Sequence, residues 1–441
     1  MTAPLRSESA NAFSARVTRP HIPVLDGLRG IAVLCVMVLH FTLVNAATSA
    51  ERLFFDITRV GWVGVDLFFV LSGFLITGIL YDAKGGAHFF RNFYMRRVLR
   101  IFPLYYAFLA FVLLVLPAVR PASAVPAETQ FWLWTYLSNV LFARVGWEGM
   151  PGHTTHLWSL AIEEQFYLLW PLVVFFASRR RLVQICVGAI VFAELTRIGL
   201  HYTAPDGVAG YALMPARIDA LAIGALVAVL AREPSGAALL LRFSRPVMLG
   251  AALWVAVVTG WTRLVVGGML PPLDVRVQLG AYTAISLLFG ALLVRAIAAP
   301  DASRSARVLS SATLAAFGRY SYALYMIHIV VRNVFHGQLT QLDGKLPTVL
   351  GSQLPAQVGV LLAGIGISYA LAFASWHLFE KHFLALKRFF NYERPGAKRP
   401  SASDAPVSIA TGADLGSLSS GIAPGIPAVG LIEEGRIRPV G

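Results

Sequence analysis

Ten apolar blocks run through this chain, each about 17 to 25 residues long, the length a helix needs to cross a bilayer. They lie near 28–46, 60–81, 101–120, 157–178, 182–202, 212–231, 246–264, 277–298, 315–335 and 357–378. A segment in hydrocarbon must satisfy its own backbone groups, which a helix does. The 441 residues are 57% hydrophobic and only 14% charged, whereas a soluble chain of this length would form two or three domains with far more charge. The expected fold class is therefore all-α: a polytopic membrane protein with about ten transmembrane helices.

The net charge of +14 invites a nucleic-acid reading, but its placement argues against one. Most Lys and Arg precede the first block, follow an even-numbered block or lie in the tail. Lys84, Arg91, Arg96, Arg97 and Arg100 follow the second, Arg179, Arg180 and Arg181 the fourth, and Arg232, Arg242 and Arg245 the sixth. This alternation is the positive-inside pattern; it puts both termini in the cytoplasm and makes the surplus a topology signal. Cys35 and Cys186 fall inside blocks without metal-ligand spacing and read as packing residues. The first block is too long for a signal-peptide core and is kept as a permanent anchor.

Three regions follow. Residues 1–20 are small, polar and basic and are expected to be a disordered N-terminal segment; 21–388 form the membrane domain; 397–441 read as a low-complexity cytoplasmic tail. Within the domain, 82–100 interleaves Phe89, Phe90, Phe93 and Tyr94 with arginines, as in a short helix at the interface, with Pro103 expected in the first turn of the third span. The loop 121–156 carries Phe131, Trp132, Trp134 and Tyr136, an aromatic interfacial or re-entrant pattern.

Ionisable groups inside spans are expensive and direct attention to function. Arg29 stands at the mouth of the first span and His40 deep inside it. Eleven residues at about 100° each leave them on one face, about 16 Å apart along the axis. A buried imidazole is neutral and offers a lone pair. Arg97 and Arg100 are one turn apart, and with Arg29 could make a cationic mouth fit for phosphates. Glu163 and Glu164 open the fourth span and need a buried partner, for which Arg217 is the obvious candidate, with Asp219 beside it and Asp66 at similar depth. A glutamate with Arg217 is also readable as a structural ion pair, and Asp66 as lining a cavity or satisfying nearby backbone. Ser321, Tyr325 and His328 recur at i, i+4 and i+7 on one face of the ninth span, as an interhelical polar seam would. Glu194 and Arg197 read as a self-satisfied i, i+3 pair.

These residues, in this order, resemble the acyltransferase 3 family of integral membrane acyltransferases. The resemblance rests on Leu25-Asp-Gly-Leu-Arg-Gly30 with His40, Gly64-Val-Asp-Leu-Phe-Phe-Val-Leu-Ser-Gly-Phe74, Phe93-Tyr-Met-Arg-Arg-Val-Leu-Arg-Ile-Phe-Pro103 and Trp158-Ser-Leu with Glu163-Glu-Gln-Phe-Tyr167. Arg217-Ile-Asp219, Ser321-Tyr-Ala-Leu-Tyr325 with His328, and Glu380 complete it. It implies O-acylation of bacterial polysaccharides, lipopolysaccharide or related glycoconjugates from the bacterial inner membrane. It further implies activity tied to the Arg29/His40 and Arg97/Arg100 motifs, and an acyl-CoA donor taken from the cytoplasm. One departure is Glu380-Lys-His-Phe383, where the family usually has proline two residues after the glutamate; it bears on where the tenth span ends. The short tail points to a stand-alone form without the extracytoplasmic SGNH-hydrolase domain that some members carry.

The expected activity is transfer of an acyl group, acetyl foremost, from acyl-CoA as co-substrate to a carbohydrate hydroxyl. His40, Glu163 and Glu164 would be catalytic, Arg29, Arg97 and Arg100 donor-binding, and Asp66, Arg217, Asp219, Ser321, Tyr325 and His328 acceptor-side or supporting. The partners are the bilayer, acyl-CoA and the carbohydrate; no nucleic acid, metal or bound cofactor is expected. The rival class is a transporter or flippase of lipid-linked glycans, which would also carry intramembrane charges. The absence of internal repeats argues against it.

Overall fold

A computed structural model describes residues 3–42, 48–341, 346–349 and 351–392. Among these residues the structure is helical, with one isolated bridge between Val349 and Ser352 in place of any sheet. The helices used below are α1 (Ala3–Val17), α2 (Pro23–Phe41), α3 (Val63–Ala83), α4 (Phe89–Ala110), α5 (Leu157–Phe176), α6 (Arg179–Thr203), α7 (Met214–Leu230), α8 (Pro234–Val265), α9 (Tyr282–Ala298), α10 (Ala312–Arg319), α11 (Ser321–Gln341) and α12 (Leu354–Ser375).

Eight helical stretches are long and apolar enough to cross a membrane. The other two expected blocks are also helical but not straightforward spans. The eighth is the 17-residue α9, and the ninth is α10 and α11 joined at a 75° bend. The bend corrects the expectation of one straight ninth helix. The third block differs too: α4 starts at Phe89, so the interfacial segment and the span are one helix with Pro103 inside it rather than in its first turn. A five-residue π-helical stretch, Phe111–Val115, follows.

The glycines of the first motif place α2 against α10. A Cβ on Gly27 would overlap the Leu309 carbonyl, one on Gly30 the Leu314 carbonyl, and one on Gly318 the Asp26 carbonyl. Two backbones approach this closely only when no side chain stands between them, the usual logic of small residues in membrane helix packing. Arg29, between Gly27 and Gly30, is thereby held at a fixed level against the bend.

The N-terminal segment is corrected as well. Residues 3–17, expected to be disordered, form α1, with Ala10, Phe13 and Val17 buried in the main core. Those three recur at i, i+3 and i+7, so one narrow stripe suffices to dock an otherwise polar helix. The Arg16 guanidinium fastens its end by donating to the Ile297 and Ala299 carbonyls at the C-terminal end of α9. The tail expected at 397–441 lies outside the described residues.

Candidate active site

α2, α11 and the start of α5 bring three imidazoles together. The His40 and His328 ring centroids are 4.9 Å apart, and those of His156 and His328 are 5.4 Å apart. Hydrogen bonds assign the tautomers. His328 Nδ1 lies 2.7 Å from the Tyr325 carbonyl and 3.1 Å from that of Leu324, so it carries the proton and leaves Nε2 as an acceptor. His40 Nδ1 lies 2.9 Å from the Val36 carbonyl and 3.2 Å from His328 Nε2; it donates to both. His40 Nε2 is then the nitrogen with a lone pair to offer. His40 lines a cavity of about 840 Å³, with Trp62, Trp147, Trp158 and Tyr211 among its walls.

At the other end of α2, Arg29 lines a smaller cavity of about 70 Å³ with Phe68, Glu163, Ser321 and Tyr322. Val65 and Tyr325 line both cavities and so stand between them. The Tyr325 hydroxyl is 2.5 Å from Ser159 Oγ and donates to the His156 carbonyl at 3.1 Å, which fixes the partition. Glu163 accepts from the Tyr167 hydroxyl at 2.8 Å, and that hydroxyl is 2.5 Å from Ser72 Oγ. Arg97 and Glu163 are both electrostatic neighbours of Arg29, and Arg100 is near Arg29, Arg97 and Glu380. Lys387 joins them, within reach of all three arginines. Arg96 donates to the Lys387 and Phe390 carbonyls, holding this last stretch of the domain against α4. The expected cationic cluster therefore forms, enlarged by a lysine that spacing alone did not reveal.

Two expected pairings are corrected. Arg217 does not partner Glu163 or Glu164; it donates to Asp66 at 2.6 Å and lies over the Tyr282 ring at 4.2 Å. Glu163 instead sits with Arg29 and Arg97, and Arg97 is also the cation near Glu164, which lies among Tyr105, Tyr136 and Tyr322. Neither glutamate lines the cavity that holds His40. The reason is the antiparallel run of α5 beside α2: His156 is level with His40, and seven residues of helix carry Glu163 about 10 Å toward Arg29. Asp219 accepts from Arg197 at 3.0 Å and from Thr283 at 2.7 Å. The i, i+3 bond from Arg197 to Glu194 is present at 2.5 Å, so the expected pair belongs to a larger buried network. Asp66 thus pairs with Arg217 and Asp219 with Arg197, and none of Asp66, Arg217 and Asp219 lines either cavity.

Ser321, Tyr325 and His328 share a face as their spacing predicted, and it forms an interhelical polar seam: Tyr325 bonds Ser159 and the His156 carbonyl at the start of α5 and His328 bonds His40 on α2, while Ser321 and Tyr325 also line cavities. Ser321 Oγ, on the small cavity, is buried with no partner among the described residues. The same stripe continues to Arg332, one turn beyond His328, which also lines the large cavity. The i, i+4 spacing carried that signal. His156 was visible only as the residue opening the fourth span. Outside the spans, burial and then Arg120 push the His153 imidazole below its ordinary range, and its Nδ1 accepts from Asn333 Nδ2 at 3.0 Å.

The chain is similar to known proteins over most of its length. Residues 22–374 match the family described as an acyltransferase domain, Acyl_transf_3. The O-acetyltransferase OatA of Staphylococcus aureus is 30% identical over 355 residues, covering 74% of this chain and 53% of that protein. The peptidoglycan O-acetyltransferase OatA of Listeria monocytogenes is 34% identical over 191 residues, 40% of this chain and 28% of that one. The putative peptidoglycan O-acetyltransferase YrhL of Bacillus subtilis is 35% identical over 196 residues, 41% and 29% respectively. The matched regions thus span about half, or less, of the length of these relatives. No solved structure matches.

Proposed function

The chain belongs to the acyltransferase 3 family, and on that footing we propose that it moves an acyl group, acetyl foremost, from acyl-CoA to a hydroxyl of a cell-surface glycan. Relatives named as peptidoglycan O-acetyltransferases support a carbohydrate acceptor. The observation that carries the reading is the placement of His40, with Nε2 unprotonated, on the floor of an 840 Å³ cavity one helix length from a cluster of arginines. By the positive-inside pattern the arginine end faces the cytoplasm of a bacterial inner membrane and the large cavity the opposite side.

In this reading Arg29, Arg97 and Arg100 hold the phosphates of the donor, which guanidinium forks bind in bidentate fashion. Glu163 positions Arg29 and Tyr167. The donor's arm follows the small cavity toward Tyr325. His40 Nε2 takes the proton from the acceptor hydroxyl as its oxygen attacks the thioester carbonyl. The carbon–sulfur bond breaks, and the departing thiolate takes the proton back from the imidazolium. The products are the O-acyl glycan and free CoA thiol. His328 accepts from His40 Nδ1 and steadies the charge that forms there.

The test uses full-length protein in nanodiscs with acetyl-CoA labelled in the acetyl group. Thiol release that depends on added glycan, with label appearing on the glycan, is the expected result. Folded protein that moves a glycan across the bilayer without releasing thiol would overturn the reading in favour of a transporter. Label retained on His40 after donor alone would convert direct transfer into a covalent route.

A further inference from the structure

Deep arginines in this protein are paired with carboxylates wherever they serve the fold. Arg197 bonds Glu194 and Asp219, Arg217 bonds Asp66, and Arg232 bonds Asp82 at 2.6 and 2.8 Å. Arg332 is different. It is half-buried in the wall of the large cavity, and no carboxylate among the described residues lies within ion-pair distance. Its one bond among the described residues is from a terminal nitrogen to the neutral amide oxygen of Asn333 at 3.1 Å; its Nε is buried without a partner, as are those of Arg197 and Arg217, so the contrast lies in the missing carboxylate. A half-buried guanidinium with unmet donors is costly unless an anion completes it.

The rest of the cavity wall offers no such anion. Its other charged residues are Arg59, cationic like Arg332, and Asp56, which is already bonded to Arg263 at 3.2 Å. Asn333 beside Arg332 leads to the Gly152 carbonyl and to His153, a neutral ring, and to no anion. The unmet charge faces the cavity in which His40 lies, and Arg332 is close enough to act electrostatically on that ring. One helical turn separates it from His328, which bonds His40.

We propose that the large cavity takes an anionic carbohydrate, one that carries a carboxylate or phosphate, and that Arg332 binds that group so that a hydroxyl of the same molecule reaches His40 Nε2. The inference rests on the acceptor reading above and narrows it to a substrate class. Arg29, Arg97 and Arg100 likewise have no carboxylate within ion-pair distance among the described residues, and the rule that assigns them to an anionic donor at one end assigns Arg332 to an anion at the other. Aromatic rings supply the apolar counterpart: Trp158 and Tyr211 lie with centroids 4.4 Å apart in the same wall, suited to the C–H face of a sugar.

Binding, measured without acyl donor on full-length protein in nanodiscs, separates this inference from the catalytic reading. The probes are a tetragalacturonate, its carboxyl-reduced neutral form, and that neutral chain phosphorylated at the reducing end. A charge-assisted contact of this kind predicts roughly ten- to a hundredfold tighter binding of an anionic chain than of the neutral one. Arg332→Gln should erase that difference and Arg332→Lys restore part of it. The arm that binds more tightly, carboxylate or phosphate, names the group. Equal binding of all three chains, or a preference that survives Arg332→Gln, overturns the inference. A preference that Arg332→Gln abolishes, in protein that nonetheless transfers no acetyl group to any glycan, upholds the binding site and counts against the transferase reading.

Discussion

Exchange of His40 for glutamine tests the tautomer assignment and the chemistry together. The Gln amide can still donate to the Val36 carbonyl, which now accepts from Nδ1 at 2.9 Å, and to His328 Nε2. What it cannot do is take a proton. General-base assistance contributes roughly 10²- to 10⁴-fold, or about 3 to 5 kcal/mol of barrier. His40→Gln should therefore lower kcat by about that factor while leaving the KM for acetyl-CoA near the parent value, because in the proposed reading the donor's anchor is the arginine cluster at the far end of α2. His328 calls for a smaller number. Its Nδ1 proton is committed to the Tyr325 carbonyl and its Nε2 to His40, so it has no free lone pair with which to act as base. His328→Leu removes one acceptor from an imidazolium and leaves Val36 as the other. A hydrogen bond to a charged group contributes about 1.5 to 3 kcal/mol, and the remaining acceptor puts the loss at the lower end, roughly tenfold.

The assay is initial-rate acetyl transfer by purified variants with matched folded fractions, separating kcat from KM. The order matters more than either value: His40→Gln must be the more damaging. If His328→Leu abolishes transfer while His40→Gln retains more than about a tenth of the parent rate, the roles are reversed and the assigned tautomers are wrong.

Two further outcomes are expected. Arg97→Lys combined with Arg100→Lys keeps the charge and loses the planar fork, so the KM for donor should rise several-fold more than the KM for acceptor; unchanged donor kinetics would reduce both to topology charges. Arg217→Ala strands the buried carboxylate of Asp66, a loss of about 3 to 5 kcal/mol that should appear as less folded protein in the membrane, whereas replacing both partners with leucine should recover much of it; a normal folded yield for the single variant would return Arg217 to the substrate.

The eight spanning stretches were legible because a bilayer imposes a minimum length on every span, and the Arg29/His40 relation because both lie on the same helix, where spacing is geometry. The stripe from Ser321 to His328 was legible for the same reason, and one more turn would have reached Arg332. What one helix cannot reveal is depth against its neighbours. Glu163 and Arg217 both appear near the outer ends of their spans, yet α5 runs down beside α2 and delivers Glu163 to Arg29, while Asp66, 151 residues away in sequence, takes Arg217. The bend at Tyr320 carries no proline; it is recognisable only once Gly318 is seen pressed against Asp26. α1 escaped notice because its buried stripe is only three residues, Ala10, Phe13 and Val17, too few to register as amphipathic.

The partition at Tyr325 ties these parts into one device. A transferase that draws its donor from one side of a membrane and its acceptor from the other must join two cavities at the reacting atoms and nowhere else. Here both cavities end on the same two residues, Val65 and Tyr325. Tyr325 is held by Ser159 and by the His156 carbonyl, both from the start of α5, while its own carbonyl fixes the ring of His328 and, through it, His40. The residue that separates the compartments thus also orients the proposed base. A thioester arriving from the arginine end would meet His40 only past this tyrosine, where the phenol ring and the apolar faces of Val65 and Phe68 leave little room for the water that would compete with the acceptor. Separation of compartments and protection of the thioester would then rest on the same side chain. That gives a physical reason for the polar stripe of α11 to cross from one cavity into the other.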